Sequence, residues 1–204
     1  MTNEEVTIDN LILTDVDGVV LNWEAHFHEY MASHGHWKDP DVPEGYWKEL
    51  NYPRISAEEA RQMVLHYNTS AWMMDVPPFR DAMSGIARLR ENGYRFHAIT
   101  AMGKDPYSHL ARSYNLDTLF GKDSFTLTCT DMYSKDSKRP MLEWYEGTGL
   151  PWIEDKPSNA NLGAELGLNT FLINHPHNAE AVLHDSVKRV NNWAEICDAL
   201  LDTD

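Results

Sequence analysis

Hydrophobic and polar positions along the chain divide it into short unalternating apolar runs and stretches with helical spacing. Leu11-Ile12-Leu13 is such a run, which reads as a strand buried on both faces, and it leads into Asp15 and Asp17, two residues apart, and then Gly18. Asn22 can cap a helix with Trp23, Phe27, Tyr30 and Met31 on one face and Gly35 past its end. From His36 to Pro53 the pattern is irregular and rich in Pro and aromatics. Ser56-Ala57-Glu58-Glu59 is a capping box opening a second helix, whose stripe is Ala60, Met63, Val64 and Tyr67.

From Phe79 onward the two periods alternate. The spacing predicts a helix over 79–92, with Met83, Ile86 and Leu89 inward and Gly93 as its stop, followed by a strand over 95–100. Helices around 107–114, 139–145 and 158–166 precede strands at 125–129, 151–155 and 170–174. A short edge strand over 187–190 and a closing helix over 193–201 complete the series. Such alternation predicts an α/β fold with a doubly wound parallel sheet. The core is expected from residues 1–18 and 79–204, with 19–78 inserted after the first strand.

Composition narrows the class. With 204 residues, 42% of them hydrophobic, one domain with an insertion is expected. A formal charge of −15 disfavours long nucleic acids, which need Lys and Arg to displace their counterions. A small anionic substrate remains compatible if a metal ion supplies positive charge. The first residues are acidic and no apolar run approaches membrane-spanning length, so a cytoplasmic protein without a membrane partner is expected. Cys129 and Cys197 are too far apart in sequence to suggest a disulfide framework or a Cys-based zinc site.

In an open parallel sheet the ligand crevice lies outside the carboxyl ends of the strands. The first strand ends in Asp15 and Asp17, the second in Thr100 and the fourth in Glu154 and Asp155, while Lys138 precedes the helix that leads into the fourth. Taken singly, these are an Asp-rich turn, a β-branched strand residue and a solvated lysine. If the strands are neighbours, their polar ends form a phosphate-and-magnesium site. His26, His28, His34 and His36 include no i, i+4 pair that would align two metal ligands, so packing or surface roles are expected for them.

Asp15-Val16-Asp17-Gly18, Thr100, Lys138 and Glu154-Asp155, in that order across nearly the whole chain, resemble the four motifs of the haloacid dehalogenase superfamily of phosphotransferases. The stretches Ile153-Glu154-Asp155-Lys156-Pro157-Ser158-Asn159, His175-Pro176-His177-Asn178 and 189–196 look most like its 5'-(deoxy)nucleotidase branch. The resemblance implies a Rossmann-like core with a small helical cap. It makes Asp15 the nucleophile that forms an aspartyl-phosphate, and Asp17 the acid that protonates the leaving oxygen and then activates water. Mg²⁺ would be held by Asp15, the Asp17 carbonyl and Asp155, and Thr100 and Lys138 would hold the phosphoryl oxygens. Where nucleotidase relatives usually carry two aspartates, this chain has Glu154 then Asp155, so Glu154 is expected behind the metal ligands. Lys135, three residues before Lys138, is the alternative phosphate ligand.

The insertion is dense in aromatic residues, including Trp23, Phe27, Tyr30, Trp37, Tyr46, Trp47, Tyr52, Tyr67 and Trp72. Most are expected to form its core, and two or three to line the site and stack on a base. The expected activity is Mg²⁺-dependent hydrolysis of small nucleotides, with 5'-deoxynucleoside monophosphates first. A phosphatase acting on another small metabolite such as a phosphosugar is the alternative. A non-catalytic phospho-ligand binder is the reading from a different class.

Overall fold

The computed structural model describes residues 10–42, 51–52, 54–134 and 136–202. Among them, six parallel strands form one sheet: β1 (Leu11–Thr14), β2 (Arg95–Thr100), β3 (Phe125–Cys129), β4 (Pro151–Glu154), β5 (Asn169–Ile173) and β6 (Lys188–Val190). Their order is β3-β2-β1-β4-β5-β6. This is the doubly wound sheet that the alternation of periods predicts. Leu13 of β1 sits opposite His97 of β2 and Trp152 of β4, so the winding reverses at β1 and a crevice opens beyond the ends of these three strands.

Parallel neighbours require long crossovers, which are made by α3 (Ala82–Glu91), α4 (Pro106–Phe120), α5 (Arg139–Leu142) and α6 (Pro157–Glu165), with α7 (Trp193–Leu201) closing the chain. Ile12, Leu13, Trp152, Ile153, Phe171 and Leu172 are buried, as expected for strands covered on both faces. Helix α3 begins at Ala82, later than the spacing suggests, and buries Ala82, Gly85, Ile86 and Leu89. Met83, expected inward, is exposed, because it lies one position off that stripe. A Cβ at Gly85 would lie 2.4 Å from the Cβ of Trp193, so α3 and α7 pack at a distance only glycine allows. Helix α4 runs beyond the expected 107–114. Asp105 caps it by accepting the amides of Tyr107 and Ser108 at 2.9 and 3.1 Å, and Pro106 fits its first turn.

Between β1 and α3 the chain forms α1 (Trp23–Ser33), α2 (Ala57–Asn68) and a 3-10 turn at Ala71–Met74. Asn22 caps α1, and the Ser56–Glu59 capping box is present in both directions. Trp23 stacks on Phe27 at 4.7 Å, and Phe27 meets Tyr67 edge-on at 5.4 Å. The histidines of α1 serve this cluster: His26 Nδ1 bonds the Tyr67 hydroxyl at 2.8 Å, and His28 Nδ1 bonds that of Tyr52. His34 Nδ1 lies 2.8 Å from the Tyr30 carbonyl. Tyr46, Trp47 and Pro53 lie outside the described residues. The chain leaves and re-enters the core side by side, with Asn22 N–H on Pro77 O and Phe79 N–H on Val20 O, both at 2.8 Å.

Candidate active site

The loop after β1 is wound tightly. The Val16 carbonyl accepts the amides of Val19, Val20 and Leu21, whose side chains are buried, and this turns Asp15 and Asp17 into the crevice. Gly18 makes the turn at φ +79°, and a Cβ there would lie 2.6 Å from Asp155 Oδ2. Glycine is thus required both for the backbone and for the approach of the Asp155 carboxylate. Gly18→Ala is expected to cost about 1–2 kcal/mol from the left-handed backbone alone. Urea unfolding checks this, and an unchanged midpoint would show that the loop accommodates the methyl.

Lys138 Nζ is buried between Asp15 Oδ2 and Glu154 Oε1, 2.7 Å from each. Burial favours the neutral amine, but the two carboxylates outweigh it and hold the ammonium well above its usual range. Glu154 is wholly buried and fully occupied. Its Oε1 also accepts Asn159 Nδ2 at 2.7 Å, and its Oε2 accepts the amides of Asp155 and Lys156 at 2.9 and 2.8 Å. Asp15 Oδ1 accepts the amide of Val16 at 2.7 Å. Burial pushes the Asp15 carboxyl well up, with Lys138 opposing and the charges of Glu154 and Asp155 adding to the rise.

Asp155 stands just past the end of β4. Burial would raise its carboxyl, yet the His177 contact and the charges of His175, His177 and Lys138 bring it below its usual value. His177 Nε2 lies 3.3 Å from Asp155 Oδ2. Asn178 donates to the Asp155 carbonyl at 2.7 Å, and His175 Nε2 bonds the Gly18 carbonyl at 2.8 Å. The rings of Phe79, His175 and His177 stack in series with centroids 4.9 Å apart, joining the re-entry point of the chain to Asp155.

Asp17 is partly exposed, and its Oδ1 accepts Arg112 Nη2 at 2.5 Å. Burial raises its carboxyl, against the pull of Arg112 and Lys138. Thr100 is buried at the end of β2 and lines the same crevice. Asp15, Asp17, Thr100, Lys138 and Asp155 therefore all converge on one cavity of about 290 Å³. Trp23, Arg61, Val64 and Asn68 of α1 and α2 line its other side. Lys135 lies outside the described residues.

The carboxylate oxygens of Asp15, Glu154 and Asp155 gather within 4.8 Å of one another. Lys138 pairs with two of these buried carboxylates and His177 faces the third, and the donors are all hard oxygens, which fits a hard divalent cation. Glu154 is wholly buried and does not line the crevice, whereas Asp15 and Asp155 do, so these two are the members suited to coordinate it.

No protein-family model matches the chain. The uncharacterized 32.4 kDa protein of the Gp30-rIII intergenic region of Enterobacteria phage T4 is 30% identical over 130 residues, 61% of this chain and 46% of that protein. The match spans about half the length of that curated relative. Among solved structures, the chain is similar to a predicted phosphatase from Clostridium acetobutylicum (TM-score 0.63, 14% identity, 96% of this chain and 100% of that one). It is also similar to an L-2-haloacid dehalogenase (TM-score 0.57, 12% identity, 94% and 99%). The fold is that of the haloacid dehalogenases. A third structure with this fold, the D,D-heptose 1,7-bisphosphate phosphatase of B. bronchiseptica complexed with magnesium and phosphate, gives a TM-score of 0.53 at 13% identity over 96% of this chain and 99% of that one.

Sequence reasoning assigned no role to Arg112, His177, Asn159 or Asn178. Arg112 had one visible signal, a cation on the inward stripe of a helix. His177 and Asn178 fall in a stretch that carries the family resemblance, but their partner Asp155 comes from elsewhere in the chain, so the stretch gives no role for them.

Proposed function

We propose that this protein is a Mg²⁺-dependent phosphomonoesterase acting on small nucleotides, 5'-deoxynucleoside monophosphates first, through an aspartyl-phosphate intermediate. The observation that carries the reading is the convergence of Asp15, Asp17, Thr100, Lys138 and Asp155 from β1, β2, β4 and the loop before α5 on one crevice.

Asp15 attacks phosphorus, the bond from phosphorus to the ester oxygen breaks, and Asp17 gives its proton to the departing alkoxide. Asp17, now a carboxylate, takes a proton from water, whose oxygen attacks phosphorus and releases inorganic phosphate and the Asp15 carboxylate. A raised Asp17 carboxyl suits a group that must carry a proton before the first step. Lys138 and the Thr100 hydroxyl neutralise and hold the phosphoryl oxygens as charge spreads over them. Asp15, the Asp17 carbonyl and Asp155 would hold Mg²⁺, which would supply the positive charge that lets two anions approach. Glu154 fixes Lys138 and the β4–α6 turn from behind.

Residues 19–78 act as a cap over the core formed by 1–18 and 79–204. Trp23 supports the nucleotide reading: one ring face is backed by Phe27, its Nε1 is anchored on Asn68 Oδ1 at 3.0 Å, and it borders the crevice. A fixed indole is a stacking platform for a base, worth about 1–3 kcal/mol. The phosphosugar alternative draws support from the heptose bisphosphate phosphatase named above. A cytosolic setting accords with free Cys129 and Cys197, and no helix among the described residues is long and apolar enough to cross a membrane.

Phosphate release from a panel of ribo- and deoxynucleoside 5'-monophosphates and phosphosugars, with Mg²⁺ and with chelator, tests the reading. The expected result is Mg²⁺-dependent turnover of deoxynucleotides that chelator removes. Turnover of sugars alone would keep the chemistry and overturn the nucleotide assignment. Trp23→Ala is expected to raise KM for the nucleotide by about tenfold or more, the loss of one stacking contact. An unchanged KM would exclude Trp23 as the base platform.

A further inference from the structure

The structure points to a positioning residue for Asp17 on the helix that faces the insertion. One face of α4 carries Ser108, Arg112 and Asn115, spaced i, i+4, i+7, and all three are buried. A polar stripe on the buried side of a helix must be satisfied by what packs on it. Ser108 Oγ donates to the Asn68 carbonyl at 2.7 Å, and Asn115 Nδ2 donates to the carbonyls of Met74 and Val76, both at 3.1 Å. These bonds seat the segment from the end of α2 back toward the core. Between them Arg112, with no exposed surface, reaches Asp17 Oδ1.

The guanidinium is poorly explained as structural filler. Its Nε and Nη1 find no hydrogen-bond partner among the described residues, and a buried cation costs several kcal/mol unless it is well paired. A methionine or leucine would fill the space without that cost. Among the described residues the one charge partner Arg112 holds through a hydrogen bond is Asp17, and it stands behind Asp17, outside the residues that line the crevice.

We propose that Arg112 is the positioning residue for Asp17: it anchors Oδ1 from behind, so that Oδ2 is the oxygen that passes the proton to and from the reacting groups. An always-charged donor on Oδ1 leaves that oxygen purely an acceptor. Because the same face of α4 seats the 68–76 segment, the position of the acid is fixed relative to the returning segment of the insertion. The inference rests on the phosphatase reading given above.

The test compares kcat/KM for two esters in the wild type, Arg112→Met and Arg112→Lys. One is the alkyl ester best turned over in the panel, whose alkoxide must be protonated as it leaves. The other is p-nitrophenyl phosphate, whose leaving anion needs no proton. Arg112→Met is expected to lower the ratio of alkyl to aryl kcat/KM by about 10²-fold, the scale of a general-acid contribution. Arg112→Lys, a point charge without the planar fork, is expected to recover part of it. Equal losses on both esters, or none, would overturn the proposal, since a structural role would move both together. If Arg112→Met does not fold, Arg112→Lys carries the measurement. If the wild type hydrolyses neither ester, the phosphatase reading fails, and crystal structures of the wild type and the variant then decide the positioning claim. An Asp17 carboxylate that leaves its place in the variant supports it, and one that stays overturns it.

Discussion

Asp15→Asn is expected to reduce phosphate release by about 10⁴-fold or more, because on the proposed mechanism Asp15 is the nucleophile and its loss removes the two-step route itself. The amide is isosteric and can still accept from Val16 N–H, so the fold should be retained, though Lys138 then keeps only Glu154 as an anionic partner. Circular dichroism and steady-state kinetics on the same preparation check the two halves. Residual turnover within about tenfold of wild type would mean that Asp15 does not form the covalent intermediate, since general acid–base support alone is worth more than that.

The second large effect is on stability. Glu154 accepts from Lys138, Asn159 and two backbone amides in a site with no access to water. Glu154→Leu leaves those donors unpaired and Lys138 with one carboxylate, so a loss of about 3–5 kcal/mol is expected in urea unfolding. Glu154→Gln retains an acceptor oxygen and should lose less. A loss under about 1 kcal/mol in the leucine variant, the worth of one ordinary hydrogen bond, would exclude the bracing role. Mg²⁺ titration of Glu154→Gln separates bracing from coordination: a brace leaves a site that still binds the ion.

These two effects come from positions that the sequence marked differently. Asp15 stands out because its D-x-D-G turn at the end of an apolar run is followed in order by Thr100, Lys138 and Asp155 at other strand ends and turns. Glu154 could be singled out only as a departure from a motif. Its four donors come from the loop before α5, the β4–α6 turn and α6, which no local pattern relates. Arg112 is the extreme case. Its helix was legible in part, around 107–114, but a cation on the inward stripe reads as an irregularity until Asp17 is placed beside it.

The order and kind of the elements, and the polar residues at the strand ends, are legible in the sequence alone, because periodicity, caps and strand-end motifs are local properties of the chain. The sequence also identified the parallel sheet, since strand–helix alternation leaves few other ways to cover both faces. Tertiary structure decided what those residues do to one another. The order β2-β1-β4 brings Thr100, Asp15 and Asp155 to one crevice. Glu154 lies in β4 itself while Asp155 stands beyond its end, so one carboxylate is locked to Lys138 and the other faces the cavity. The packing of residues 68–76 on α4 joins Arg112 to Asp17 across 95 positions of sequence. Such pairings depend on long-range burial and charge compensation, which no local pattern encodes.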